Sequence, residues 1–142
     1  MSSKLKALER KAIEIRKGIL DAIRCNKKSH LGGSMSIADT ITVLYFYKMN
    51  INIEKLDDPY RERLIISKGH SILAQYAALA ELGYFCKAEL RNYKTLGALL
   101  EGYPEIKMPR IEANTGSLGQ GLSIGFGMAL GGKWINANIK FM

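Results

Sequence analysis

Only two histidines occur in this 142-residue chain, His30 and His70, and each stands close to glycine. His70 closes the run Ser67-Lys68-Gly69-His70, which follows the apolar residues Leu64-Ile65-Ile66. In an open α/β sheet, ligands gather at the carboxyl ends of strands, where helix N-termini offer free N–H groups and partial positive charge. Gly69 permits a tight turn there, and His70 would project toward a bound anion and donate a hydrogen bond from a ring nitrogen. A histidine that merely caps a helix fits the same spacing equally well. The second feature is Gly116-Ser117-Leu118-Gly119-Gln120-Gly121. Its glycines run in the reverse order of the dinucleotide fingerprint, and no Lys-Ser/Thr pair follows as in a P-loop. A glycine-rich turn at a helix start suits close approach of a phosphate to backbone amides. Gly121 and Gly125, four apart, also suit tight helix packing. The third feature is Ser29-His30-Leu31-Gly32-Gly33-Ser34, where His30 is either a ligand contact or an exposed loop residue. Two histidines without a carboxylate cluster make no metal centre. No Ser/His/Asp or Cys/His spacing recommends a nucleophile. On the residues alone, the chain reads as an α/β anion-binding module.

The elements that must position these residues are legible from periodicity. Leu5, Leu8, Ala12, Ile15, Ile19 and Ile23 recur at three- and four-residue steps, which predicts an amphipathic helix ending near Arg24. A polar loop over 25–34 follows. Ser36 with Asp39 resembles a capping box opening a second helix, with Ile37, Ile41, Leu44 and Tyr45 turned inward. Residues 50–63, with Asp57-Asp58-Pro59, read as a connection, and 64–66 as a buried parallel strand. A helix carrying Ile72, Tyr76, Leu79 and Ala80 stops at Gly83. Residues 87–93 suggest a short helix, 95–114 a long loop with Pro104 and Pro109, and a glycine-rich helix reaches about Lys133. The tail, 135–142, reads as the opening of another strand. Alternating helix and strand predicts an α/β fold.

Composition narrows the partners. With 47% hydrophobic and 24% charged residues, disordered tails and fibres are excluded. The net charge of +8 favours anionic partners. The basic residues are spread over helix faces and loop rims, without zinc spacing or RNA-binding aromatics, so nucleic acid is not expected. Neither is a membrane: the charged start is no signal peptide, and the apolar stretch 118–132 falls short of the ~20 residues a span needs. Cys25 and Cys86 read as cytosolic thiols, which places the protein in the cytoplasm.

Together and in order, the segments 28–37, 63–85 and 101–133 resemble the N-terminal, diphosphate-binding domain of transketolase. The likeness runs from about Leu8 to Lys133, and its length resembles the split form whose pyrimidine-binding half is a second polypeptide. It implies a partial thiamine diphosphate-binding fold over 1–142, an incomplete, mainly parallel sheet flanked by helices. It implies transfer of a two-carbon ketol unit from a ketose phosphate to an aldose phosphate, with thiamine diphosphate as electron sink. His30 matches the histidine near the reacting carbons of the donor sugar. His70 matches the histidine at the cofactor phosphates, and Gly116, Ser117 and Leu118 match the loop whose backbone reaches the cofactor. Phosphorylated sugars and a pyrimidine-binding C-terminal section, in a homo- or hetero-oligomer, are the implied partners.

Two departures stand out. Gly102-Tyr103-Pro104 replaces the family's Gly-His-Pro, so a catalytic position carries a phenol, a poor proton shuttle at pH 7 with a reference pKa of ~10. The family's Gly-Asp-Gly segment, which holds the Mg2+ bridging the phosphates, is expected just past residue 142, and no Asp follows Asp58. Weak cofactor binding and an inactive isolated chain follow as expectations. A related thiamine diphosphate enzyme, of the 1-deoxyxylulose-5-phosphate synthase type or one half of a sugar-modifying transketolase-like pair, is the alternative. A non-catalytic remnant serving as an interaction module is another.

Overall fold

A computed structural model describes residues 3–26, 29–55, 58–137 and 139–142. Lys28 of the first motif and Asp57 of the connection lie outside these. Helix α1 spans Ser3–Cys25 and turns Ala12, Ile15, Ile19 and Ala22 inward, while Leu5 at its start stays exposed. Its apolar stripe lies across three neighbours: helix α3 (Ala38–Val43), helix α4 (Ile72–Leu82) and a 3-10 turn at Lys87–Asn92. Helix α4 is the centre of the core. Ile72, Leu73, Tyr76 and Leu79 have no exposed surface, and even Gln75 is buried, the pattern of a helix apolar all round. Gln75 is satisfied by donating to the Tyr45 hydroxyl at 2.7 Å and to the Arg110 carbonyl at 3.3 Å. Gly83 ends α4 in the left-handed conformation, φ +90°, as its position in the sequence leads one to expect. Helix α5 spans Gln120–Trp134.

Three expectations are corrected. The region 25–34 is not loop throughout, because helix α2 occupies Leu31–Ser36 with His30 at its N-cap. The Ser36/Asp39 capping box does not form. Ser36 ends α2 and donates its hydroxyl to the Gly33 carbonyl at 2.8 Å. Asp39 is instead held by the Arg16 guanidinium at 2.7 and 2.8 Å, and Ile37 caps α3 without a side-chain bond.

The largest correction concerns the fold class. The described residues are helices, turns and loops, with no strand and no sheet, so the incomplete parallel sheet flanked by helices is not seen. Residues 63–66 do meet the tail in parallel, Arg63 opposite Phe141. Arg63 N–H donates to Lys140 at 2.9 Å, Met142 N–H to Arg63 at 2.9 Å, and Ile65 N–H to Met142 at 3.0 Å. That is one bridge rather than a ladder. Beyond it, the groups a neighbouring strand would pair are already taken. The Thr115 hydroxyl donates to the Ile66 carbonyl at 2.8 Å, and Gly119 N–H to the Ser67 carbonyl at 3.4 Å.

Candidate functional site

Two turns meet where α2 and α4 begin. His30 makes no capping bond, which leaves its exposed ring free, and that ring meets His70 edge to face with centroids 5.1 Å apart. His70 sits in a 3-10 turn, Gly69–Ser71, and the N-cap of α4 is Ser71, again without a side-chain bond. His70 is therefore no helix cap, and the two imidazoles share a surface.

Close approach depends on glycine at two places. A Cβ on Gly33 would lie 2.9 Å from both His70 Cδ2 and Ser71 Oγ. A Cβ on Gly69 would lie 2.8 Å from the Thr115 carbonyl oxygen and 3.2 Å from Gly116 Cα. The first contact seats the His30 segment on the His70 turn, and the second seats that turn on the Thr115–Gly116 backbone. Tyr103 completes the group: its ring edge lies 3.7 Å from the Cβ position of Gly116, and its carbonyl accepts from the Tyr76 hydroxyl at 3.4 Å. Gly116, Ser117 and Leu118 are exposed along the same turn. Thus His30, His70, Gly116 and Tyr103, from four separate stretches, stand together.

Lys68 ties the assembly from within, a role that residue order alone does not announce. Its ammonium donates to Ser36 Oγ at 2.9 Å and to the Gly33 carbonyl at 3.4 Å, stapling the His30 segment to the turn that bears His70. Ser67 does the same for α5, accepting from Leu122 N–H at 3.2 Å. Both lie inside the Ser-Lys-Gly-His run, so the motif was visible and the division of labour within it was not. The remaining glycines divide between turn and packing. Gly119 takes φ +88°, whereas a Cβ on Gly121 would lie 2.6 Å from Ser67 Cα.

The electrostatics favour a negatively charged ligand. Burial first, then His30 and Lys68, hold the His70 pKa below the ordinary histidine value, because each disfavours a further positive charge. The Ser71 hydroxyl is buried without a hydrogen-bond partner next to Gly33. An unpartnered hydroxyl, two imidazoles, a nearby ammonium and an exposed glycine turn form a donor set suited to a phosphorylated cofactor. The fit to a divalent cation is different. Among the described residues no group of three His, Cys, Asp or Glu side chains stands ready to hold one. Nor does any helix there have the length and apolarity to cross a membrane.

A family model described as transketolase, thiamine diphosphate binding domain, matches residues 8–140. One half of the apulose-4-phosphate transketolase of Phocaeicola vulgatus is 35% identical over 136 residues, covering 96% of this chain and 48% of that polypeptide. The 6-deoxy-6-sulfo-D-fructose transketolase subunit of a Clostridium species is 40% identical over 131 residues, covering 92% of this chain and 48% of that one. Among solved structures, the transketolase from Leishmania mexicana superposes with a TM-score of 0.82 at 32% identity, covering 92% of this chain and 19% of its own. The chain thus spans about half the length of the first two relatives and about a fifth of that transketolase.

Proposed function

The chain belongs to the transketolase thiamine diphosphate-binding domain family, and from that premise we propose that it is the diphosphate-binding section of an enzyme moving a two-carbon ketol unit from a ketose phosphate to an aldose phosphate. The observation that carries this reading is the meeting of His30 and His70, rings 5.1 Å apart, beside the Gly116 turn. Bound thiamine diphosphate supplies an electron sink for breaking the carbon–carbon bond next to a ketose carbonyl. The chain's own residues bind and orient. His70, the Ser71 hydroxyl and the backbone of Gly116, Ser117 and Leu118 hold the diphosphate side. His30, the more exposed imidazole, moves a proton at the hydroxyls of the donor sugar. Lys68 keeps both imidazoles in register. Because the described carboxylates and imidazoles form no metal-holding group, the protein ligands of the Mg2+ that the family resemblance implies lie outside them. No step is routed through that ion.

Activity then requires a second, pyrimidine-binding section. Two relatives named as transketolase subunits support a split enzyme. So does the outer face of α5, where Leu122, Phe126, Leu130 and Trp134 repeat every four residues and are all at least half exposed. Tyr103 favours a particular kind of enzyme. A phenol 44% exposed beside Gly116 hydrogen-bonds sugar hydroxyls without relaying protons, which suits a modified donor sugar.

The test is ketol transfer by this chain co-expressed with a pyrimidine-binding section, assayed on a panel of ketose and aldose phosphates. Transfer from at least one donor is expected, with His30→Ala and His70→Ala each losing about 100-fold or more in kcat/KM. Tyr103→His is expected to reorder the donors. Full activity in both histidine variants would overturn the assignment of the site.

A further inference from the structure

A second polar site lies at the other end of residues 63–67, away from the His70 turn. A cavity of about 370 Å³ opens there, lined by Lys55, Arg61, Arg110 and Lys140 and by two carboxylates, Asp58 and Glu62. Its volume sits at the small end of the ~300–1,000 Å³ usual for small-molecule pockets. The lining therefore carries two more cations than carboxylates, and the existing pairs use up only some of them. Glu62 takes Lys140 at 2.9 Å. Arg61 turns away to Glu112 at 2.8 Å, a carboxylate that Arg63 also approaches at 3.2 Å. Asp58 accepts the Tyr60 N–H at 2.8 Å, closing its own turn.

Arg110 is the residue left over. It is 8% exposed, yet among the described residues no carboxylate lies in ion-pair reach of it. Its guanidinium donates to the Asn52 carbonyl at 2.9 Å and stacks over Tyr84 at 5.4 Å, while its Nε–H is buried with no partner. The Nε–H of Arg61 is in the same state. Buried cations are ordinarily paired, and an unpaired one is disfavoured by lost solvation. The backbone of Arg110 is also strained, at φ +67°, a conformation that arginine seldom adopts. Gln75 and Asn52 fix it there through its carbonyl and its guanidinium. The molecule thus holds a desolvated guanidinium at a cavity wall with no anion of its own.

We propose that this cavity is a binding site for a phosphate group, either inorganic phosphate or the phosphate of a small monoester, with Arg110 as its central cation and Lys55 and Lys140 at its mouth. A dianion matches the two-charge excess. A guanidinium, planar and weakly hydrated, is the side chain best suited to phosphate in a partly dry setting. The exposed lysines gather the anion, and Arg110 neutralises it inside.

The test is a titration of the full chain with inorganic phosphate, and separately with glycerol 3-phosphate, at low ionic strength, by calorimetry and 31P line broadening. Saturable binding of one phosphate is expected, and the tighter of the two probes identifies the natural source. Arg110→Asn keeps a residue tolerant of the left-handed backbone and removes the cation, and binding is expected to fall about tenfold or more. If Arg110→Asn does not fold, Lys55→Gln/Lys140→Gln, both at exposed positions, decides the matter through a weaker and less salt-dependent titration. His70→Gln is expected to leave the titration unchanged. The proposal is overturned by absence of saturable binding, by cavity variants that bind like the parent, or by binding that vanishes with His70→Gln instead.

Discussion

At Gly33 and Gly69 the same substitution meets two different neighbours. A methyl group on Gly33 would press on the ring of His70 and the hydroxyl of Ser71, side-chain atoms that can swing aside. A methyl group on Gly69 would press on the backbone of Thr115 and Gly116, which cannot. Gly33→Ala is accordingly expected to leave the thermal midpoint nearly unchanged while weakening thiamine diphosphate binding, read by calorimetry. Gly69→Ala is expected to lower stability by ~1–3 kcal/mol, the usual cost of overpacking, read by urea denaturation. His70 carries a pH signature whose sign is fixed by its surroundings. Burial, His30 and Lys68 lower its pKa in the fold, so the unfolded chain takes up the proton first. That contribution is fully present above about pH 6.5 and is lost as pH falls from there through the lower folded value. Denaturation at pH 7.5 and 5.5 is expected to show a loss that His70→Gln reduces. A parent and a variant with equal slopes would refute this. Both histidines were marked by their glycine neighbours in the sequence. Arg110 was not, because neither its left-handed backbone nor its missing partner leaves a trace in residue order.

Helix α5 contains glycines of opposite meaning at the scale of an element. Alanine is about 1 kcal/mol better than glycine inside a helix. Gly127 faces open space, so Gly127→Ala is expected to raise the thermal midpoint by that preference. Gly121→Ala is expected to lower it, since its methyl would stand 2.6 Å from Ser67 Cα, and the ~1–3 kcal/mol of overpacking exceeds the helical gain. Scanning calorimetry of the two variants checks the pair. Periodicity recovered α1, α4 and α5 with their ends, because those helices bury residues in patterns that repeat along the chain. It failed over 31–39, where Ser36 and Asp39 carry the letters of a capping box but are claimed by Gly33 and Arg16. Residues 64–66 misled for a related reason: β-branched and apolar composition marks a buried segment, not whether its backbone has strands beside it.

Over the whole molecule, the core is a layer of helix faces closed around α4, and α1 shows how one-sided that layer is. Ile19 is wholly buried and Leu20, beside it in sequence, is 49% exposed. Ile19→Ala is expected to cost ~2–5 kcal/mol and Leu20→Ala within about 0.5, measured by chemical denaturation. Comparable losses from both would mean that α1 packs on both faces. The sequence by itself determined the helices, the core stripe, the three motifs and the family, since each is written in short-range order: an apolar period, a glycine beside a histidine, a run of adjacent letters. The tertiary structure alone decided that His30 and His70 share a surface, that Lys68 binds their two segments together, that no sheet forms among the described residues, and that Arg110 stands without an anion. Those are relations between residues tens of positions apart, and they exist only once packing has chosen which distant groups become neighbours.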